Sequence, residues 1–418
     1  MSSTVRLREI GSTYGGLTGK SKADFGRGDA RFVTFLEVIN STRLSGRALE
    51  RVEVKKGERQ NSVKCGDVLF NGSSETPQEV ALSAVVDFDS NIVTFLNSFC
   101  FGFRLRPDAA VDPTYLAYFF RSSAGRSLVS SLAQGATRYN IAKTKFLDVE
   151  LALPSFERQR EIVEWLNDAD DMVATLERLI AKKQAIKQGM MQQLLTGRTR
   201  LPGFTEAWSE IRLGNHVSYV KTVALSRAQL DTKSPLKYLH YGDIHTRSSI
   251  LLDAAIEEMP RANVSLAARA GQLRRGDLVF ADASEDFAGV GKSIEIEDTP
   301  DTGVVPGLHT IAARFDKSVL ADGFKAYLQF IPSFRDQLLR LAAGTKVLAT
   351  TRSYISSITL TLPAVAEQNA IAETLHDSER EIEALRARLL KAQDMKTGMM
   401  QQLLAGRCHL PLELPHEH

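Results

Sequence analysis

Cysteine is scarce in this chain: Cys65, Cys100 and Cys408 are the only three in 418 residues, and they are widely scattered. That excludes a disulfide framework and a zinc cluster built on cysteine. Long apolar runs are missing too, so no segment reaches membrane-spanning length, and the opening MSSTVRLREI has no apolar signal segment. A cytoplasmic protein with no membrane partner is expected. Pro-Pro does not occur, so the Asn-Pro-Pro-Tyr motif of adenine methylation is absent, and no Gly-rich cofactor loop follows a strand. The eight histidines are dispersed; His240 and His245 stand five apart, but no carboxylate or cysteine completes a metal site around them. Glu53-Val54-Lys55 resembles the end of a nuclease motif, yet Pro107-Asp108 follows it instead of preceding it. No catalytic, cofactor-binding or metal-binding residue is therefore assigned. Net charge is only +2, although residues 1–60 hold 12 Lys and Arg against 7 Asp and Glu. A local basic face serves nucleic acid even in a balanced chain.

Residues 14–21, YGGLTGKS, end like a phosphate-binding loop of nucleotide hydrolases. The position that needs the first glycine is Tyr14, and the approach VRLREIGST is too charged for a buried central strand. A nucleotide hydrolase is a distant alternative. Gly, Thr, Ser and Lys beside an aromatic also suit a DNA backbone.

What is present in abundance is repetition. KQGMMQQLLTGR at 187–198 recurs as KTGMMQQLLAGR at 396–407, 209 residues further on. The same interval carries Pro154 to Pro363, Gln159 to Gln368, Ile162 to Ile371, Leu166 to Leu375 and Leu176 to Leu385. Fainter echoes precede each block: Gly66-Asp67-Val68-Leu69-Phe70 and Gly276-Asp277-Leu278-Val279-Phe280, Gly135 and Gly344, LALP at 151–154 and LTLP at 360–363. The chain is a duplication, each half a variable globular part followed by a constant helical part.

The constant part has a heptad seam. Ile162, Ala169, Leu176 and Met190 recur with Leu166, Val173, Ile180 and Leu194, broken by Lys183 and Lys187. The second copy has Ile371, Leu385, Ala392 and Met399 with Leu375, Ile382, Leu389 and Leu403. Pro154 and Pro363 precede the helices; Gly197 and Gly406 fit left-handed caps after them. Some 42 residues at about 1.5 Å each give a rod of roughly 60 Å. Each rod finds its partner in the other copy, most simply antiparallel about a pseudo-two-fold axis.

The globular parts read as mixed α/β. Strand character marks Arg31 to Leu36, Val68 to Phe70, Ile92 to Leu96, Lys237 to Tyr241 and Ile358 to Leu360. Leu116 to Phe120, Phe324 to Phe330 and Phe334 to Leu341 read as helical. The expected architecture is two α/β (α+β) recognition domains at 1–153 and 199–362. Spacer helices occupy 154–198 and 363–407, forming an antiparallel coiled coil, and 408–418 is a tail that includes His416 and His418.

A variable domain, a long helix ending MMQQLL-x-G, then both again, resembles the specificity subunit of Type I restriction–modification systems. YGGLTGKSKADF at 14–25 is similar to that family's N-terminal segment, and Lys55 through Phe70 to its Gly-Asp strand. Pro154 to Gln159 and Pro363 to Gln368 resemble its P-x-x-x-E-Q helix start; Glu367-Gln368 match, while the first copy has Arg158 before Gln159. The resemblance covers the whole chain. It implies a non-catalytic reader of double-stranded DNA whose two domains each read half of a split target, with the coiled coil setting the gap. It also implies two methyltransferase subunits that modify adenine with S-adenosylmethionine, and motor-nuclease subunits that use ATP and Mg to cut unmodified DNA. No cofactor is expected in this chain. A coiled-coil interaction scaffold without DNA readout is the alternative.

Phosphate contacts from Lys and Arg supply affinity, and polar side chains on base edges supply sequence choice. In the first domain the candidates are Thr13, Tyr14, Lys20 and Lys22 in the opening loop, with Arg27 and Arg31 beyond it. GATRYNIAK at 135–143 adds Thr137, Arg138, Tyr139, Asn140 and Lys143; Ser73 and Ser74 follow the Gly-Asp strand. In the second domain GTKVLATTR at 344–352 adds Thr345, Lys346 and Arg352, with Lys221 and Arg227 as counterparts of the opening loop. Met190, Met191, Leu194, Leu195, Met399, Met400, Leu403 and Leu404 put apolar groups on more than one helix face. One face suits the coiled coil. The other is expected to dock the methyltransferase subunits, the alternative being packing on the chain's own domains.

Overall fold

The computed structural model describes residues 3–284, 287, 289–342 and 348–405. It divides into two compact units, one of residues 1–177 with 387–418, the other of residues 178–386. Each unit contains one globular domain and one half of each long helix.

The globular domain of the first unit is built on a five-stranded sheet. Its strands run in the order Gly11–Gly15, Cys100–Leu105, Val68–Asn71, Ser83–Val86, Arg43–Leu44; the last pairing is parallel and the others antiparallel. The second unit repeats this order with Val217–Val220, Thr310–Phe315, Leu278–Ala281, Ser293–Asp298 and Leu251–Asp253, again with a parallel final pair. The duplication legible in the helices therefore extends through the variable domains. Each domain closes the same way: Ser3–Arg6 pairs with Glu150–Leu153, and Ser209–Arg212 with Thr359–Leu362, just before each long helix.

The Gly-Asp echo has a structural cause. Gly66 and Gly276 take φ of +81° and +85°, which favours glycine. The aspartates that follow are 1% exposed; each caps the turn through a backbone N–H and holds an arginine, Asp67 with Arg104 and Asp277 with Arg314. Buried carboxylates survive only when paired and hydrogen-bonded in this manner.

Two readings of local structure need correction. Arg31 to Leu36 is not one strand: the strand is Phe25–Val33, and Thr34 caps a helix, Phe35–Asn40, by accepting from Glu37 N. Likewise the strand Lys237–Leu239 ends at His240, whose Nδ1 accepts from Gly242 N and starts the helix Tyr241–Thr246.

The long helices are Phe156–Leu194 and Val365–Leu404, 39 and 40 residues. Gln159 and Gln368 fasten their starts. Both are buried, and each Nε2 donates to the carbonyl of the proline five residues back while Oε1 accepts from the domain's backbone. In the second unit Lys183 pairs with Glu381 at 2.7 Å and Lys187 with Glu379. In the first, Lys396 pairs with Asp170. As one number rises the other falls, so the helices pair antiparallel. The two lysines that interrupt the seam thus reach carboxylates on the facing helix.

Each core takes its residues from both helices. In the first unit Ile162, Val163 and Leu166 from one helix start and Leu403 and Leu404 from the other helix end join the domain core around Phe70, Phe101 and Phe146. In the second, Ile371, Ala372 and Leu375 join Leu194 and Leu195 around Phe280 and Phe334. Burying each of the larger of these side chains, the Val, Leu, Ile and Phe, contributes about 1.5–3 kcal/mol.

Candidate nucleic-acid interface

In the first domain three segments far apart in sequence meet. Ser73–Ser74 pairs antiparallel with Tyr139–Asn140, and Ile141 N donates to Gly72 O at 3.2 Å. Gly72 N in turn donates to Phe99 O at 2.7 Å, and Gly16 N to Cys100 O at 3.2 Å. These bonds draw the opening loop, the Gly72-Ser73 turn and the Asn140–Lys143 segment around a cleft of about 300 Å³. Gly16 is fixed by contact: a Cβ there would lie 2.0 Å from Asn97 O.

The cleft and its rim gather cationic, hydroxyl, amide and aromatic groups. Lys143 Nζ lies over Gly15, where a Cβ would meet it at 3.1 Å. Arg138 stacks its guanidinium over the exposed ring of Phe99 at 5.3 Å. Thr137, Asn140 and Lys22 are exposed as well, and Tyr139 is half-buried against the core. Among the described residues no carboxylate is ion-paired with Arg138, Lys143 or Lys22. Ser73 is 5% exposed and its Oγ is buried without a partner among the described residues. Phe99 carries no mark in the sequence; only its exposure in the turn before the Cys100–Leu105 strand singles it out.

Other candidates in this domain are engaged elsewhere. Tyr14 is not a free aromatic: its hydroxyl donates to Asp67 at 2.6 Å and Arg104 lies over its ring, so burial and the Asp67 charge push its pKa well up. Its neighbour Thr13 is half-buried opposite Phe103 in the sheet. Lys20 is ion-paired with Glu58, its side chain only 5% exposed, which corrects its expected place on a phosphate. Arg27 pairs with Glu53 at 2.8 Å on the surface, an exchangeable contact. Arg31 sits in the Phe25–Val33 strand, half-buried, and does not line the cleft. Ser74 Oγ donates to Glu79 at 3.0 Å.

The second domain repeats the pairing: Ala283–Ser284 lies antiparallel to Leu348–Ala349. Arg352 opens the helix Arg352–Ser357 and stacks over Tyr219 at 5.4 Å; the Tyr219 hydroxyl donates to Arg352 O. Lys221 and Arg227 are exposed. Thr345 and Lys346 lie outside the described residues.

The helix ends answer one question. Leu194, Leu195, Leu403 and Leu404 are all buried in the chain's own cores, and Met190, Met191, Met399 and Met400 pack against those cores half-buried. The four leucines therefore offer no apolar face for a partner. Among the described residues no group of three or more His, Cys, Asp or Glu is placed to hold a metal, and no helix is long and apolar enough to cross a membrane.

Two copies of one mixed α/β domain, each joined to antiparallel helices, define a duplicated two-domain protein. Residues 3–188 match the family model described as the Type I restriction modification DNA specificity domain. The Type I restriction enzyme MjaVIII specificity subunit of Methanocaldococcus jannaschii is 24% identical over 314 residues, 71% of this chain and 70% of that one. The crystal structure of the Type I restriction–modification system S subunit from M. genitalium has a TM-score of 0.56 at 12% identity, with 96% of each chain covered. A structure solved for complex assembly and conformational transition of the type I R-M system has a TM-score of 0.55 at 16% identity, covering 97% of this chain and 98% of that one. At such identities the solved structures speak for the fold. Residues 3–188 thus match a Type I restriction–modification DNA specificity domain, and the chain as a whole is similar to Type I specificity subunits in sequence and fold.

Proposed function

We propose that each globular domain reads one half of an asymmetric, two-part DNA target and that the helix pair sets the gap between the halves. The chain itself performs no chemistry. Two methyltransferase subunits assemble with it and modify adenine with S-adenosylmethionine, and motor-nuclease subunits using ATP and Mg cleave unmodified DNA. The observation that carries this reading is the first domain's cleft, where Lys143 and Arg138 stand beside Ser73 and Asn140 with no carboxylate partner among the described residues. Such cations neutralise phosphates, while amide and hydroxyl groups discriminate base edges. The two domains differ in their loops, so the half-sites differ in sequence.

The test is co-expression with the methyltransferase partner in a host free of adenine methylation, followed by long-read mapping of N6-methyladenine. An asymmetric motif with an unread gap is expected. Methylation at a continuous site, or none that depends on this chain, overturns the reading.

A further inference from the structure

The second domain contains a cavity of about 800 Å³ that none of the loop candidates above explains. The duplication shows how it arises. In the first domain Arg121 fills the space behind the Phe35–Asn40 helix; its guanidinium donates to the carbonyl oxygens of Val38, Ile39, Ser41 and Ser83 at 2.5–2.9 Å. The residue 209 positions on is Phe330, which lines the cavity and is 42% exposed. The carbonyl-binding task passes to Lys292, whose Nζ donates to His245 O at 2.5 Å and Arg247 O at 3.2 Å. A single ammonium group replaces a planar guanidinium, and the remaining volume stays open.

Its described lining is rich in hydrogen-bond donors. Arg247, Lys292 and Arg335 contribute cations and Ser248, Ser249 and Ser293 hydroxyls; among the described lining residues there is no Asp or Glu. Two polar atoms on these walls are buried without a partner among the described residues, Arg247 Nε and Ser293 Oγ, and the Ser293 side chain is 3% exposed. Leaving such groups unpaired is costly, so each calls for a hydrogen-bond partner beyond the described protein atoms. Arg247 is held in position by its ion pair with Glu257. A further wall is aromatic: Tyr241 meets His309 edge-on at 5.4 Å and His245 at 6.1 Å. His309 is held at φ +56°, a strained conformation for a residue other than glycine, with Nδ1 3.1 Å from Asp282.

Donors for an anionic oxygen beside a flat aromatic wall fit a nucleoside phosphate. We propose that this cavity binds one such unit, its phosphate at Arg247 and Ser293 and its base against Tyr241 and His309. This rests on the DNA-reading role proposed above. The unit is a nucleotide of the second half-site or a free mononucleotide. The Ala283–Ser284 strand on the cavity wall, counterpart of the strand that lines the first domain's cleft, favours the DNA strand.

The test uses the full chain with its methyltransferase partner, as wild type, Arg247→Gln and Ser248→Trp; Ser248 is an exposed residue at the mouth, so its replacement leaves the fold intact. Calorimetric titration with dAMP, dGMP, dCMP, dTMP and inorganic phosphate is combined with methylation mapping of the three proteins. Binding of at least one deoxynucleotide in preference to phosphate, weakened about tenfold in both variants, is expected, together with relaxed sequence choice in the second half-site only. Relaxed choice without mononucleotide binding assigns the cavity to the DNA strand. Mononucleotide binding lost in the variants with both half-sites unchanged assigns it to a free nucleotide. No binding of any probe together with an unchanged second half-site overturns the proposal. The wild-type methylation map then still upholds the DNA-reading role, which fails separately if that map is empty.

Discussion

Asp67 is buried with Arg104 and Tyr14 on its two oxygens, and removing it exposes how the local charge is balanced. Asp67→Ala leaves the Arg104 guanidinium without its carboxylate in a partly buried place, so a loss of about 3–5 kcal/mol in urea unfolding is expected. Lys143→Ala and Arg138→Ala, both at exposed positions, should stay within about 0.5 kcal/mol of wild type. They should instead weaken DNA binding and lower the salt-dependence slope by roughly one for each phosphate left unneutralised. This contrast also explains which site residues were legible. Residue type and local composition marked the Ser73, Asn140 and Lys143 segments, which the fold brings together around one cleft. They did not reveal that Lys20 is matched by Glu58 or Tyr14 by Asp67, because those partners lie 38 and 53 residues away. His376 gives a second test at this scale. It packs against Tyr327 with Nε2 buried and unpartnered among the described residues; burial, with Arg380 and Lys187 nearby, lowers its pKa from the usual 6.5. Below that value the unfolded chain takes up the proton more readily than the folded one, so this residue's contribution to stability falls as pH drops through 6.5. His376→Gln should show a smaller decline in melting temperature between about pH 7.5 and 5.5 than wild type does.

Among elements, the long helices were the most legible, because a seven-residue apolar period sustained over about ten turns suits little besides a paired helix. Their ends were less so. The Met-Met-Gln-Gln-Leu-Leu segments carry apolar groups on two faces, and sequence cannot say whether the second face meets a partner or the chain's own domain. The structure buries the leucines in the domain cores. Leu404→Ala and Leu195→Ala should therefore each destabilise the chain by about 2–5 kcal/mol through cavity formation, measured by denaturant unfolding. Methyltransferase binding, in contrast, should survive Met191→Gln in a co-purification assay. Loss of the partner from a still-folded Met191 variant would restore the docking role for the methionines. Short strands were harder to place than the helices. Thr34, through one capping bond, and His240, through a reciprocal pair with Asp243, each turn a strand into a short helix, and hydrophobic alternation carries no mark of that switch.

For the whole molecule, the arrangement of helix ends decides how the distance between half-sites can change. Each helix begins in one domain core and ends in the core that also holds the start of its partner. Lengthening one helix alone by four residues is therefore not expected to lengthen the gap. An insertion in one helix alone pulls its terminal leucines out of register while the other helix stays the same length, and the outcome is destabilisation without a new gap. Four residues also turn the apolar seam by about 40°. Seven residues in each helix, placed in the middle of the paired region, preserve the seam to within about 20° and add roughly 10 Å of rise. At about 3.4 Å per base pair the unread gap should lengthen by about three base pairs, with both half-sites unchanged. Methylation mapping of the double insertion beside each single insertion checks this. An unaltered gap in a stable double variant means that the helices do not set the spacing, and a lengthened gap in a stable single variant means that the core-anchored ends do not constrain it.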